Sequence, residues 1–344
     1  MTYLMVCAGL VLLFVGGEAL VRGSVSVARK LNISELVIGL TLVGFGTSAP
    51  ELVTSLRAIG QDAVGISVGN VVGSNIANVL LVLGVTCLIK PIFVKPRALF
   101  RDGFFMICVT GILCVLIWFD QFTKVTGGVM VAMLLAYIGL SLWADQRRDP
   151  TAQMHADEGE SVDADYGVWL GLIIAIVGVV AVVFGARFLV DGGIVIARQF
   201  GVSEAVIGLS IVAIGTSLPE LATSAVAAFK GKSDVALGNV IGSNIFNVLG
   251  ILGITALVHP FSVMEEPGKT GELSGAAMAG SGPVSVMSWE DIGALLLSVF
   301  LLFLFAFTGK RIARWEGIVL LGAYVLYFGL LFDLIPIPNL IPHV

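Results

Sequence analysis

The sequence predicts an all-α integral membrane protein with ten transmembrane helices, arranged as two five-helix repeats of inverted topology. Two observations predict this fold: long apolar runs, and a sequence that occurs twice along the chain. Of the 344 residues, 57% are hydrophobic and 12% are charged, whereas a soluble domain is about a quarter charged. The apolar runs do not alternate as the strands of a membrane barrel would, so they predict helices.

The same composition argues against several other classes of protein. The net charge of −5 is concentrated in two loops and predicts no nucleic-acid partner. The four cysteines lie in apolar segments without a CxxC pair, which predicts buried free thiols rather than disulfides or a zinc site. We find no cofactor motif, and neither a nucleophile nor a catalytic carboxylate pair that would indicate an enzyme.

The internal repeat is the strongest feature of the sequence. The segment GLTLVGFGTSAPELVTS (39–55) recurs at 208–224 with 11 of 17 residues identical. The segment GNVVGSNIANVL (69–80) recurs at 238–249 with 10 of 12 identical. Both recurrences lie 169 positions further on (208 − 39 and 238 − 69). This distance far exceeds the period of solenoid repeats, so it predicts a duplicated half-protein.

Hydropathy divides each half into five spans. The first apolar segment lacks a signal-peptide pattern and is interpreted as a membrane helix. The predicted spans are 3–29, 33–59, 65–89, 98–118 and 123–143, then 167–198, 202–229, 234–258, 290–308 and 313–333. We therefore divide the chain into a first repeat (1–143), a linker (144–166) and a second repeat (167–344). Because five is odd, the second repeat enters the membrane from the opposite side.

Charges in the loops predict the orientation. With the N-terminus outside, thirteen of the 19 Lys and Arg residues fall on the cytoplasmic side and four on the other. This favours the inner (plasma) membrane of a bacterium. The linker contains seven acids between Asp145 and Asp165. We interpret it as a solvated connection, with a regulatory Ca2+ site as the alternative.

Four acids fall deep inside predicted spans, where a charge is costly and therefore marks a functional candidate. Two of them have a basic residue one helical turn away: Glu18 precedes Arg22, and Arg187 precedes Asp191. Such i,i+4 pairs can neutralise themselves, which favours a structural or gating role over direct contact with substrate.

The other two acids, Glu51 and Glu220, have no basic neighbour in sequence and are equivalent positions of the repeat. In an inverted repeat they would approach each other near the middle of the membrane. Two such carboxylates repel each other unless a cation lies between them or one of them holds a proton.

Oxygen atoms surround both glutamates in the sequence. Pro50 and Pro219 interrupt helical hydrogen bonding and are expected to free carbonyls near Thr47 and Thr216. Hydroxyl and amide side chains are contributed by Ser48, Ser74, Asn75, Asn78, Ser217, Ser243, Asn244 and Asn247. Such groups also serve in helix–helix packing. Their repetition beside a buried Glu favours an oxygen-only site for a hard cation such as Ca2+.

These motifs carry a family resemblance. GTSAPE with GSNIAN, and GTSLPE with GSNIFN, resemble the two alpha-repeats of the calcium/cation antiporter superfamily, and most closely its bacterial and archaeal sodium/calcium exchangers. The alpha-1 motif would span 39–80 and the alpha-2 motif 208–249. The resemblance implies ten helices in two inverted halves, with the first and sixth helices sliding against the core.

The resemblance also implies roles for individual residues. Ca2+ would be held by Glu51 and Glu220, with the carbonyls of Thr47 and Thr216. The Na+ sites would be lined by Ser48, Ser217, Ser74, Ser243, Asn78 and Asn247. Some family members have Asp where this chain has Asn78 or Asn247. The absence of a third motif carboxylate disfavours a K+-dependent variant.

The predicted function is secondary active exchange of Ca2+ for Na+, with Ca2+, Na+ and the lipid bilayer as the partners. A Ca2+/H+ antiporter with the same site is the alternative, because the two carboxylates can also take up protons. A passive cation channel is a more distant alternative that the inverted repeat disfavours. Residue chemistry also leaves open another divalent substrate, such as Mn2+.

Overall fold

The computed structural model describes residues 2–95, 99–146, 166–200, 213–265, 284–285, 287–309 and 311–331. In this part of the chain, eight helices are long and apolar enough to span a membrane, and one bent pair is a ninth candidate. In chain order the helices are α1 (Thr2–Leu31), α2 (Glu35–Thr47), α3 (Ala49–Ile59), α4 (Val64–Ile89), α5 (Leu99–Trp118), α6 (Lys124–Gln146), α7 (Val168–Gln199), α8 (Ala213–Gly215), α9 (Leu218–Phe229), α10 (Ser233–Val258), α11 (Trp289–Gly309) and α12 (Arg314–Leu331).

Nine of the ten predicted spans correspond to these helices, with α2 and α3 as the bent pair. The predicted span 202–229 is described from residue 213 onward, as α8 and α9. The acidic linker lies almost wholly outside the described residues. A helix satisfies all its backbone hydrogen bonds within one segment, which is why apolar runs in a membrane adopt it.

The two equivalent helices α4 and α10 form the centre of the molecule. In their most apolar stretches, 72% of α4 and 83% of α10 is buried, against 28–39% in the other long helices. Each contains a wider π-helical turn, Asn78–Leu83 in α4 and Phe246–Leu252 in α10. Such turns are rare and often occur at functional sites.

The equivalent helices α1 and α7 pack against each other in antiparallel directions. A Cβ added to Gly9 would lie 2.8 Å from the carbonyl oxygen of Gly185, and one added to Gly23 would lie 2.6 Å from that of Gly171. Glycine therefore allows the two backbones to approach closely along the length of the pair. Several large side chains of both helices are exposed on the outward faces of the pair, among them Leu10 and Ile173.

Short strand pairs join loops of the two halves. β1 (Ile92–Phe93) is antiparallel to β4 (Arg311–Ile312), and Phe122 forms an isolated bridge with Phe261. Ile92 and Phe261 are equivalent positions of the repeat. Each lies just after the central helix of its half, α4 or α10, and pairs with a segment of the other half. A further pair joins β2 (Met264–Glu265) to β3 (Val284–Ser285).

All four cysteines are free thiols, but their predicted burial is wrong for two of them. Cys87 is buried and Cys114 is half-buried, whereas Cys7 and Cys108 are exposed. The latter two lie on outward faces of α1 and α5, where a small apolar side chain is compatible with surrounding lipid.

Candidate ion-binding site

Two interrupted helices carry the central acids. α2 ends at Thr47 and α3 begins at Ala49, with a bend of 45° between them. In the second half, α8 ends at Gly215 and α9 begins at Leu218. A proline occupies the first turn of α3 and of α9, where its missing N–H breaks no hydrogen bond of the new helix. The predicted helix breaks at Pro50 and Pro219 are thus present.

The two glutamates lie in the first turns of these helices and are almost fully buried. Glu51 and Glu220 are each 1% exposed, and they are close enough for their charges to interact. Neither forms a salt bridge with a basic side chain in the described part of the chain. Their position at helix N-termini partly favours the charged form.

Two asparagines that sequence analysis did not select hold the backbone of the glutamates. The Asn70 side chain donates from Nδ2 to the Glu51 carbonyl (3.2 Å) and to Ser55 Oγ (3.0 Å). Asn239 donates in the same way to the Glu220 carbonyl (3.3 Å) and to Ser224 Oγ (2.9 Å). Both belong to the repeated GNV segments. Their recurrence at equivalent positions is the signal that could have identified them.

Hydroxyl groups of the first half reach across to the second. Ser48 Oγ donates to Glu220 Oε1 at 2.8 Å, and Thr47 Oγ1 lies 3.1 Å from Asn239 Oδ1. In the opposite direction, Ser243 Oγ donates to the Gly44 carbonyl at 3.1 Å. The site is therefore built jointly by the two halves.

Four asparagines join α4 to α10 beside the glutamates. Asn75 Nδ2 donates to the Asn244 carbonyl (3.3 Å), and Asn244 Nδ2 donates to the Asn75 carbonyl (3.4 Å). Asn78 Nδ2 donates to Asn244 Oδ1 and Asn247 Nδ2 to Asn75 Oδ1, both at 3.0 Å. Each bond has a counterpart between equivalent residues, which is the pattern that a local twofold axis produces.

Several buried oxygen atoms of this region have no hydrogen-bond partner among the residues that the structure describes. They are Glu51 Oε2, Glu220 Oε2, Ser217 Oγ, Asn78 Oδ1 and Asn247 Oδ1. Buried polar atoms are usually satisfied, so a group of open oxygens calls for an explanation. Oxygen atoms, two of them from carboxylates, suit a hard cation such as Ca2+ or Na+.

The structure places the ten predicted site residues at the two helix breaks and in the middle of α4 and α10. Nine are described as buried, and Thr216 is half-buried. Asn75 and Asn244, expected to supply oxygen, instead use their amide oxygens to accept the bonds from Asn247 and Asn78.

The remaining intramembrane acids lie outside this site. Glu18 of α1 forms an ion pair with Arg22 and a second one with Lys230 at 2.9 Å. In α7, Arg187 and Asp191 are both exposed and form no ion pair with each other. The Arg187 guanidinium instead lies 6.0 Å from the centre of the Phe184 ring. The predicted self-neutralising pair is thus present in α1 but not in α7.

Comparison with known proteins finds relatives that align with both halves of the chain. The sequence model of the family described as "Sodium/calcium exchanger protein" matches residues 1–143 and 170–332. The putative antiporter CaxA of Alkalimonas amylolytica is 37% identical over 330 residues, which cover 95% of this chain and 98% of CaxA. The sodium/calcium exchanger MaX1 of Methanosarcina acetivorans is 34% identical over 364 residues, covering 96% and 98%.

Solved structures give the same result. The sodium-calcium exchanger NCX_Mj, soaked with zero Na+ and Ca2+, superposes with a TM-score of 0.76 and 32% identity, covering 96% of this chain and 98% of that one. A bundle of membrane helices around a buried, oxygen-rich site is typical of membrane ion transporters. The chain belongs to the sodium/calcium exchanger family.

Proposed function

We propose that this chain is a secondary active antiporter that exchanges Ca2+ for Na+, with the ions bound between Glu51 and Glu220. The observation that carries the proposal is this pair of buried carboxylates, one from each half, with no basic partner among the described residues. Two carboxylates in an apolar interior repel each other unless a cation or proton compensates them. One divalent cation balances both charges.

The proposed architecture is ten helices in two inverted five-helix repeats, 1–143 and 167–344, connected by the linker 144–166. The antiparallel packing of α1 on α7 supports it, because these helices are equivalent in the two halves. The reciprocal asparagine bonds between α4 and α10 support it independently. In such a plan the substrate site lies near the membrane midplane, where the broken helices meet.

The proposed ligands divide into two sets. Ca2+ binds the carboxylates of Glu51 and Glu220 and the backbone carbonyls of Thr47 and Thr216. Na+ binds a flanking shell formed by Ser48, Ser217, Ser74, Ser243, Asn78 and Asn247. Five residues in these sets have a buried oxygen without a hydrogen-bond partner among the described residues, which supports the assignment because bound cations would satisfy these oxygens.

Exchange follows from competition for shared oxygens. Ca2+ and Na+ cannot occupy overlapping ligands together, so loading one ion releases the other. The empty site carries two uncompensated negative charges, which disfavours its enclosure by the protein, and the loaded forms are therefore the ones that cross between inward- and outward-open states. We propose that α1 and α7 move against the core during this step, and that an ion gradient provides the free energy.

The proposed location is the inner membrane of a bacterium, with the N-terminus outside. The excess of Lys and Arg in the loops that would face the cytoplasm supports this orientation. Lys95, Lys230 and Lys232 are described members of that set, and all three form ion pairs with acids of the same end of the molecule.

Ca2+/H+ exchange is a second candidate, and one observation favours it. The neutral amides of Asn78 and Asn247 leave Glu51 and Glu220 as the only acids of the site among the described residues. Two protons could therefore discharge the site as completely as Ca2+ does, without any Na+ shell.

Transport in proteoliposomes distinguishes the two candidates. We expect radioactive Ca2+ to accumulate in vesicles loaded with Na+ and diluted into Na+-free buffer. A pH gradient without Na+ should give no more uptake than empty liposomes. Uptake driven by the pH gradient and indifferent to Na+ would contradict Na+ coupling and establish the second candidate. Vesicles with the Glu51→Gln variant serve as the control for leakage.

A further inference from the structure

We infer that Asn75 and Asn244 are positioning residues, which hold the side-chain amides of Asn247 and Asn78 so that their oxygens face the bound ion. The inference rests on the proposed function, because it assigns Asn78 and Asn247 to the ion shell. It goes further by giving the two remaining motif asparagines a different task. They bind no ion themselves and act across the boundary between the halves.

The first step of the argument concerns the orientation of Asn75 and Asn244. The Nδ2 atom of each lies 3.3–3.4 Å from the backbone carbonyl oxygen of the other. A carbonyl oxygen accepts hydrogen bonds and cannot donate them, so the NH2 group of each side chain must face it. The amide oxygen of each residue is then forced to the opposite side.

The second step concerns the residues that contact those amide oxygens. Asn244 Oδ1 lies 3.0 Å from the amide of Asn78, and Asn75 Oδ1 lies 3.0 Å from the amide of Asn247. Only an N–H can face an oxygen at this distance without repulsion. Asn78 and Asn247 must therefore present NH2 to their partners, and each Oδ1 must point away. The backbone carbonyls thus fix all four amide orientations.

The third step connects this orientation to the ion. Asn78 Oδ1 and Asn247 Oδ1 are buried and have no hydrogen-bond partner within the described part of the chain. A rotation of either amide by half a turn would exchange an oxygen ligand for two N–H donors, which repel a cation. Groups that orient ligands typically change metal affinity by about 10- to 100-fold when they are removed. The fixed amides therefore favour Na+ or Ca2+ over an empty site.

The alternative is that Asn75 and Asn244 merely hold α4 against α10. The bonds themselves separate the two interpretations, because they are crossed: Asn75 contacts Asn247, and Asn244 contacts Asn78. A positioning role predicts energetic coupling within these crossed pairs. A packing role predicts a loss of stability without such selectivity.

Double-mutant cycles on the full-length protein in detergent test the inference, with Na+ and Ca2+ binding measured by calorimetry. Asn75→Ala should weaken Na+ binding about tenfold. Combined with Asn247→Ala, it should add almost nothing to the effect of Asn247→Ala alone. Asn75 and Asn78 share only a backbone hydrogen bond, which neither substitution removes, so the effects of Asn75→Ala and Asn78→Ala on binding should multiply. The cycle of Asn244 should give the converse pattern. Thr110→Ala, which removes a buried hydroxyl bonded to the Met106 carbonyl of its own helix, should leave binding unchanged.

The outcomes separate this inference from the proposed function. If the unmodified protein binds neither ion, the proposed function fails. If it binds both but the crossed and uncrossed pairs are equally additive, the positioning role alone is overturned. Where Asn75→Ala does not fold, Asn75→Ser and the Asn244 cycle replace it. Loss of folded protein in every variant of both residues would assign them to packing and overturn the inference.

Discussion

At the centre of the molecule the asparagine hydrogen bonds recur in both halves, whereas the ion pair of the flank does not. At the centre, Asn70 and Asn239 hold the carbonyls of Glu51 and Glu220 with matching bonds. The flank contrasts with this, because Glu18 in α1 binds Lys230, while its counterpart in α7 is Arg187, of opposite charge.

This difference separates two requirements of an exchanger. The proposed site receives ions from either side of the membrane, and the backbone of both its glutamates is held by the same kind of bond. The flank is not constrained in this way. Lys230 has Gln61 as its counterpart, so the ion pair with Glu18 exists at one end of the molecule alone. We therefore expect the two orientations of the transporter to differ in energy.

The largest effect is expected from removing the charge of one of the two central carboxylates. Glu51→Gln and Glu220→Gln should each abolish Ca2+ uptake, because one remaining carboxylate cannot balance a divalent ion. The effect should exceed about 100-fold in both variants, since removing a charged partner from a buried site costs about 3–5 kcal/mol. Uptake by proteoliposomes measures it, with the exposed Glu290→Gln as the matched control. Normal transport by either variant would refute the two-carboxylate site.

A smaller effect is expected where α1 meets α7. A Cβ at Gly178 would lie 2.4 Å from the backbone nitrogen of Leu20, so Gly178→Ala must push the two helices apart. Overpacking of this kind typically costs about 1–3 kcal/mol, and the variant should unfold at lower temperature in detergent. Gly111→Ala in α5 is the control, because its Cβ meets no described atom within 4 Å. Equal thermal stability of the two variants would contradict the close packing.

The smallest effect is expected at the asymmetric flank. Lys230→Gln breaks an ion pair whose side chains are 21% and 27% exposed. Such partly exposed pairs contribute about 0–1 kcal/mol, which corresponds to no more than about a fivefold change. The variant should alter the ratio of transport rates in the two directions, whereas Arg187→Gln should not, because Arg187 forms no ion pair with any described residue. Equal ratios in both variants would show that the ion pair of Glu18 with Lys230 does not affect the energy difference between the two orientations.

Sequence alone predicted the two buried glutamates and the helix breaks beside them. The repeat identified Glu51 and Glu220 as equivalent, and the chemistry of proline predicted the helix breaks beside them. These features could be found because they depend on residues close together in sequence, written twice. The predicted roles of the ligands remain predictions.

The rest of the structure depends on contacts between distant segments. The crossed bonds of Asn75 and Asn244 join residues in opposite halves, and no local pattern distinguishes them from ligands. The pairing of Glu18 with Lys230 likewise joins residues that are 212 positions apart. Local i,i+4 spacing predicted Arg22 as the partner of Glu18, and this is confirmed. The same spacing failed for Asp191, which lies with Arg187 on an exposed part of α7.

The most direct test of the central claim is an anomalous X-ray difference map of crystals soaked in Sr2+, a heavier analogue of Ca2+, at increasing Na+ concentrations. We predict one peak between the carboxylates of Glu51 and Glu220, in contact with both halves, that disappears as Na+ rises. A peak that contacts only one of the two glutamates, or that is insensitive to Na+, would contradict a shared site for competing ions.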